Sequence, residues 1–198
     1  MTQPGRRERK KAQTRTALAD AAMRLFTERG YDEVTVTEVA EAADVSVTTL
    51  FKHFPGGKES LVFDLDDSQQ DALVAAVRER PAGQSILDAL RTHLKSLHDY
   101  SPAERELLHQ LLRLVGRSPA LREYADRMWL RYEQALAEVI AAEVGADARD
   151  VKVQALARYA VDAHSLAERE DDPQRAIDTI FDLLTTGWGD YGAVAAGA

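Results

Sequence analysis

The chain has 198 residues, enough for one domain or two small ones with a core that buries most of its apolar side chains. It contains no cysteine, which excludes a disulfide framework, a thiol nucleophile and a cysteine-based metal site. The formal net charge of −8 argues against a general nucleic-acid coat, and no run of about 18 apolar residues could span a membrane. We therefore expect a cytoplasmic protein that needs neither a cofactor nor a metal.

Charge is distributed unevenly along the sequence. Residues 1–15 contain six basic residues and one acidic residue, whereas the rest of the chain carries the negative excess. A split of this kind is typical of a protein in which one part meets a polyanion. A solvated, disordered basic tail would have the same composition, so both interpretations stay open at this point.

Helical periodicity dominates the sequence. Apolar residues recur with a spacing near 3.6 and strand patterns are lacking, so we predict an all-α fold of about nine helices. The first three helices are expected over residues 10–29, 35–43 and 46–54. Further helices are expected over residues 58–79, around 86–97, around 108–115, around 121–139, over 147–170 and from 173 onward.

Local signals mark the ends of the first three helices. Gly30 takes the position of a C-terminal glycine, Thr35 and Glu38 form a capping box, and Ser46 is a good N-cap. The second and third helices are short and joined by a tight turn, which predicts a helix-turn-helix. In such a unit the second helix enters the major groove of DNA.

The third predicted helix has two different faces. Val45, Leu50 and Phe54 are expected to hold it against the first helix. The outward residues are then Val47, Thr48, Thr49, Phe51, Lys52 and His53. Side chains of these types suit base edges, thymine methyl groups and phosphates. The alternative is an ordinary surface helix with a few exposed threonines.

Residues 14–61 resemble the N-terminal domain of the TetR (tetracycline repressor) family of transcriptional regulators. The resemblance rests on the segment "ALADAAMRLFTERGYDEVTVTEVAEAADVSVTTLFKHFPGGKESL". Three positions depart from the family pattern. Asp44 replaces the usual glycine, Phe51 lacks the hydroxyl of the usual tyrosine, and Gly57 looks like an insertion before Lys58.

The resemblance implies contacts with an operator. Phosphate contacts are implied for Thr35, Thr37, Thr49, His53 and Lys58. Base contacts are implied for Val47, Thr48 and Lys52, and Ser46 and Phe51 belong to the same DNA-facing set. The basic residues that begin with Arg6 and Arg7 would follow the phosphate backbone or enter the minor groove as a flexible arm.

The resemblance also implies two functional domains, with residues 1–57 for DNA binding and residues 58–198 for effector binding and dimerisation. After about residue 70 only the architecture matches the family. A small, mostly apolar effector is expected among inward-facing residues of this half. The candidates are His93, Leu97, Leu111, Met128, Trp129 and Tyr132. The alternative for each of them is an ordinary core residue, which is the more common use of such residues.

Apolar faces on the last two predicted helices favour a homodimer. The candidate interface residues are Leu156, Tyr159, Ala160, Ala163, Ile177, Ile180, Phe181, Leu184 and Trp188. The alternative is that these faces close the core of a single chain. His164 and Glu168 stand four residues apart on one helix, and we expect them to be a solvated surface pair rather than metal ligands.

The sequence is therefore interpreted as a ligand-responsive regulator, by family default a repressor, that binds a palindromic operator as a dimer. It is not expected to be an enzyme, because it has none of the HExxH, GxSxG, P-loop and dinucleotide glycine motifs. Two alternatives stay open. One is an all-α enzyme or carrier that uses the acidic half. The other is an interaction module that docks a partner through Val47 and Phe51.

Overall fold

The computed structural model describes residues 5–63 and 66–187 of the chain. These residues form nine α-helices, a 3-10 turn over Glu59–Leu61 and no strand, which confirms the predicted all-α fold. The helices are α1 (Arg6–Arg29), α2 (Val36–Ala42), α3 (Val47–His53), α4 (Asp66–Arg78), α5 (Ile86–Leu97), α6 (Pro102–Arg117), α7 (Pro119–Val144), α8 (Val151–Ala167) and α9 (Pro173–Thr186). Among the described helices, none is both long and apolar enough to cross a membrane.

Two of the differences between predicted and observed helix boundaries change how the chain is interpreted. Helix α1 begins at Arg6 rather than at Lys10, so the basic segment expected as a flexible arm is helical. No glycine or proline interrupts the chain between Gly5 and Gly30, and the arginine, lysine and glutamine residues there favour helix. The helix predicted over residues 58–79 is instead the short 3-10 turn followed by α4.

The predicted caps are present. The Gly30 backbone N–H donates to the carbonyl oxygen of Phe26 with φ at 92°, a left-handed conformation that glycine adopts without a steric cost. Asp44, which stands where the resemblance leads one to expect glycine, also has a positive φ of 53°. The turn between α2 and α3 therefore keeps the left-handed geometry even though its residue carries a Cβ atom.

The chain divides into two compact units. The first contains residues 1–66 and 102–128, and the second contains residues 67–101 and 129–198. In the first unit, Leu18, Phe26, Leu50 and Phe54 are fully buried together, with Leu121 completing the cluster. This cluster fixes α1, α2 and α3 to one another, so the short helix α3 does not depend on its own marginal stability.

The second unit has its own core, to which α5, α8 and α9 contribute. Its fully buried side chains include Leu90, Ala157, Ile177 and Phe181. At the edge of this core, Arg91 pairs with Asp182 at 2.7 Å and Lys95 pairs with Asp178 at 2.6 Å. These ion pairs hold α5 against α9 along the solvent-facing side of their contact.

Candidate functional site

Helix α3 is fixed at its start by two hydroxyl groups. The Ser46 side chain accepts a hydrogen bond of 3.1 Å from the backbone N–H of Thr49, and the two hydroxyl oxygens lie 2.9 Å apart. The side chains of Leu50 and Phe54 anchor the opposite face in the core, as predicted. Val45 packs against the same core while remaining partly exposed.

The outward face of α3 carries the side chains expected for DNA contact. Thr48, Phe51 and Lys52 are exposed, and Phe51 keeps 44% of its surface accessible. Val47 and Thr49 are half-buried beside them. A hydroxyl, an aromatic ring and an ammonium group on one face are side chains that suit base edges, thymine methyl groups and phosphates.

Helix α2 presents its N-terminus through the predicted capping box. The Thr35 hydroxyl accepts from the Glu38 backbone N–H at 3.2 Å, and Glu38 accepts from the Thr35 backbone N–H at 2.8 Å. Arg29 donates to the same carboxylate at 2.7 Å. Thr35 and Thr37 are both exposed, so each hydroxyl can be reached from solvent at this end of the helix.

His53 lies at the end of α3 and is only partly exposed. Burial lowers the pKa of its imidazole below the usual range, and the nearby positive charges of Lys11 and Arg15 lower it further. Near neutral pH the ring is therefore an uncharged donor and acceptor. A phosphate beside it would favour the protonated form.

Lys58 is held inside the first unit rather than extended into solvent. Its ammonium donates a hydrogen bond to the carbonyl oxygen of Tyr31 and lies 3.9 Å from the centre of the Tyr31 ring. Burial lowers its pKa, against the opposing charges of Asp32 and Glu59. A phosphate contact by Lys58 would require the bond to Tyr31 to break, so the contact implied by the resemblance is untested and competes with this bond.

The basic residues at the start of α1 are fully accessible. Arg6, Arg7, Arg9, Lys10 and Lys11 are all exposed on the first two turns of the helix. They add positive charge to the unit that contains α3. Their helical backbone corrects the expected flexible arm, whereas their contact with DNA stays a prediction.

Four of the six predicted effector residues meet in the second unit. His93, Leu97, Trp129 and Tyr132 line a cavity with about 20 Å³ of free space at its centre. Leu94, Ala160 and Val161 complete the apolar walls, and the exposed Gln69 lies at its edge. The rings of Trp129 and Tyr132 meet edge to face, with centroids 5.3 Å apart.

The other two predicted effector residues do not line this cavity. Leu111 packs against the core of the first unit, and Met128 is buried at the last position of that unit. Both lie on the apolar stripe of their helix, which the sequence identifies. Which cavity a stripe faces depends on packing, which the spacing along one helix does not encode.

A histidine cluster lies beside the cavity. His164 and Glu168 were expected as a solvated pair, but each side chain is only 12% accessible, and their nitrogen and oxygen atoms lie 3.2 Å apart. The other ring nitrogen of His164 lies 3.1 Å from Nε2 of the buried His98. In the sequence, the spacing of four residues between His164 and Glu168 is the signal that indicates this pair.

The buried carboxylate of Glu168 is stabilised by this cluster. Burial raises its pKa, but the hydrogen bond and positive charge of His164, with His98 further away, lower the pKa below the usual range overall. Within the described part of the chain, no group of three or more histidine, aspartate or glutamate side chains could hold a metal ion.

A wider cleft of about 480 Å³ lies in the first unit, between the end of α1 and the end of α6. It is open to solvent, and its rim carries the charged side chains of Arg29, Asp32, Glu33 and Arg113. Such a rim favours water over an apolar molecule. The smaller, apolar cavity of the second unit is the better candidate for an effector.

The predicted interface residues fall into two groups by burial. Ala160, Ala163, Ile177 and Phe181 are buried inside the second unit, so a second chain could not reach them there. Leu156, Ile180 and Leu184 are half-buried, and Tyr159 is 54% exposed. Trp188 lies outside the described residues.

Comparison with known proteins gives two family matches. The model described as "Bacterial regulatory proteins, tetR family" matches residues 18–65, and the model described as "MftR C-terminal domain" matches residues 84–189. The chain is 35% identical over 153 residues to the HTH-type transcriptional regulator TcmR of Streptomyces glaucescens, covering 74% of this chain and 67% of TcmR. MftR of Mycobacterium tuberculosis, a proposed regulator of mycofactocin biosynthesis, is 23% identical over 90% of this chain and 93% of its own.

Solved structures give the same architecture. Thermus thermophilus FadR, a repressor crystallised with lauroyl-CoA, is 26% identical with a TM-score of 0.55, over 87% of this chain and 94% of its own. Salmonella enterica GusR is 22% identical with a TM-score of 0.58, over 87% and 93% of the two chains, and supports the fold alone.

Proposed function

The chain belongs to the TetR family of bacterial regulatory proteins, and from this premise we propose that it is a repressor that binds a palindromic operator as a homodimer and leaves it when a small, mostly apolar effector binds. Residues 1–57 supply the DNA-binding part of this function. Residues 58–198 supply effector binding and dimerisation. The protein acts in the cytoplasm, where its operator lies.

The observation that carries the proposal is the outward face of α3. Thr48 and Lys52 stand exposed on a helix whose opposite face is locked by Leu50 and Phe54. A rigid helix with short side chains near its start can approach the floor of the major groove, where a hydroxyl reads base edges and a lysine reaches guanine or phosphate. Val47 and Thr49 border the same surface, and Thr35, Thr37 and His53 can position it on the phosphates.

The effector belongs in the cavity lined by His93, Leu97, Trp129 and Tyr132. The lauroyl chain of the lauroyl-CoA bound to FadR supports an effector with an apolar part for this architecture. Release from DNA requires that the effector bind the free and DNA-bound conformations with different affinities, because a ligand without that difference shifts no equilibrium.

The homodimer uses the accessible apolar residues of α8 and α9. Tyr159, Leu156, Ile180 and Leu184 remain available on the surface of the second unit. A two-fold axis through this surface would present two copies of α3 to two half-sites of one operator. The relatives are transcriptional regulators, and neither the enzyme nor the interaction-module alternative gains support from the fold.

Selection of random duplex DNA by the purified protein tests the proposal. We expect an enriched palindrome, and an anisotropy titration of this duplex in which Thr48→Ala weakens binding by about tenfold. Thr92→Ala, which removes an exposed threonine hydroxyl on α5, is the matched control and should bind like the wild type. Failure to enrich any sequence at low salt would refute the operator function.

A further inference from the structure

One polar atom at the cavity wall of the second unit, Nε2 of His93, has no partner within the described part of the fold. No described residue offers a hydrogen bond to Nε2 of His93, although this atom is buried at the wall of the cavity. A buried polar atom without a partner destabilises the fold. A leucine would satisfy the apolar face on which His93 lies without that cost, so its imidazole calls for a partner from outside the chain.

The neighbouring histidine cannot take that role, because both of its ring nitrogens are engaged. Nε2 of His164 lies 3.2 Å from the carboxylate of Glu168, and Nδ1 lies 3.1 Å from His98. The Trp129 ring packs against the His164 ring, with centroids 5.3 Å apart. His164 is therefore a fixed part of the cavity wall, and His93 is the group that can reorganise its hydrogen bonding around a ligand.

The charge of the cavity disfavours an ionic ligand. Burial, and then the positive charge of His164, lower the pKa of His93, so its imidazole is uncharged near neutral pH. Glu168 is already paired with His164, and the carboxylates that α9 brings to α5 are paired with Arg91 and Lys95. A cation would find no free carboxylate among these. An anion would meet mostly apolar walls, the neutral ring of His93 and a His164 ring that is already paired with Glu168.

We propose that this cavity takes an uncharged aromatic molecule that carries a hydroxyl group, and that the hydroxyl forms a hydrogen bond with Nε2 of His93. The inference rests on the proposed function, in which this cavity is the effector site, and names the chemical class of that effector. A hydroxyl fits either tautomer of the neutral imidazole, because it both donates and accepts. The edges and faces of Trp129 and Tyr132 provide aromatic walls for the body of the ligand.

The free space of about 20 Å³ holds roughly one water molecule, so a ligand of this kind must displace part of the wall. Gln69 is exposed, and Trp129 and Leu97 are half-buried, so these side chains can move outward more easily than the fully buried ones. The cost of that movement is common to all ligands that share one aromatic body. The change in such an affinity ratio between the wild type and a His93 variant therefore isolates the polar contact.

The test is calorimetric titration of the full-length protein with 2-naphthol, 2-methoxynaphthalene and 2-naphthylmethylammonium at neutral pH. We expect 2-naphthol to bind about tenfold more tightly than the methoxy compound, and the cation to bind most weakly. His93→Leu should bring the ratio of the first two close to one. His93→Gln keeps a polar group and should retain part of the preference for 2-naphthol. His109 is an exposed histidine of α6, and His109→Gln should leave the preference unchanged.

Three results would overturn the inference: no binding of 2-naphthol, tighter binding of the cation, or a naphthol preference that survives in both His93 variants. The operator selection described above uses no aromatic probe. A protein that selects a palindrome but fails the titration keeps the regulatory function and loses this effector class. A protein that passes the titration but selects no DNA loses the regulatory function instead.

Discussion

The guanidinium of Arg15 donates a hydrogen bond of 2.7 Å to the carbonyl oxygen of His53, which lies 38 residues further along the chain. The same guanidinium lies 4.7 Å from the centre of the Phe54 ring. Carbonyl groups at the end of a helix lack partners within the helix and attract positive charge. Arg15 therefore ties α1 to the C-terminal end of α3 and fixes the direction in which the outward face of α3 points.

Arg15→Ala should lower the free energy of unfolding by about 1–2 kcal/mol, because it removes both the charged hydrogen bond and the contact with Phe54. It should also weaken operator binding, since α3 loses its support. Arg24→Ala is the matched control on the same helix, where an exposed Arg24 lies 3.9 Å from Glu28 and should contribute little. Urea unfolding and DNA titration measure both effects, and equal stability of the two variants would contradict the role of Arg15.

Stability at acid pH should depend on Glu38. The backbone N–H of Thr35, and then the Arg29 side chain, lower the pKa of Glu38 to about 2 from an ordinary value of 4.5. A carboxyl whose pKa is depressed in the folded state stabilises the fold above its ordinary pKa, and this contribution is lost as the pH falls through 4.5 towards 2.

Glu38→Gln should therefore make stability less dependent on pH in that window and less than wild type near neutral pH. Glu28→Gln, an exposed glutamate at the end of α1, is the control and should keep the wild-type dependence. Urea midpoints recorded between neutral pH and pH 3 provide the measurement. If the urea midpoints of Glu38→Gln and the wild type changed in parallel with pH, the capping box would not lower the pKa of Glu38.

Two lysines near α3 should behave differently in salt titrations of operator binding. Lys52 is exposed, so Lys52→Ala should reduce the slope of log affinity against log salt by about one unit for each phosphate it contacts. Lys58→Met should leave that slope unchanged and lower stability by about 1–2 kcal/mol, because the ammonium is held by Tyr31. If Lys58→Met reduced the slope of log affinity against log salt, Lys58 would make the phosphate contact that the resemblance implies.

The left-handed residue of the helix-turn-helix predicts a stabilising substitution. Asp44 has φ of 53°, a conformation in which a Cβ atom is unfavourable and glycine is free of strain. Asp44→Gly should raise the free energy of unfolding by about 0.5–1 kcal/mol, and Asp44→Ala should lower it. Thermal unfolding of the two variants checks the order, and a more stable alanine variant would contradict the left-handed turn.

A charged side chain in place of Tyr159, an exposed aromatic residue of α8, tests the proposed dimer surface. Tyr159→Glu should shift the protein from dimer to monomer in light scattering, because a carboxylate would be buried between two chains. Leu107→Glu is the control, since Leu107 on α6 has nearly the same exposure, 53% against 54%. If both variants stay dimeric, the interface does not include Tyr159.

The sequence by itself determined the helices, the capping residues and the two faces of α3. These features depend on neighbours within one or two helical turns: the Thr35 and Glu38 box, the Ser46 cap and the spacing of Leu50 and Phe54 all operate locally. The family resemblance added the functional class, because a helix-turn-helix has a fixed order of short elements that a linear pattern can record.

Only the tertiary structure decided which of these side chains meet across the chain. It turned Lys58 onto Tyr31, placed Arg15 beneath His53, and moved Leu111 away from the effector candidates with which it was grouped. It also covered most of the His164 and Glu168 side chains, which on their own helix resemble a surface pair. Helical spacing reports the face of one helix, whereas burial and hydrogen bonding depend on the second helix that covers that face, and this partner is set by the packing of the whole unit.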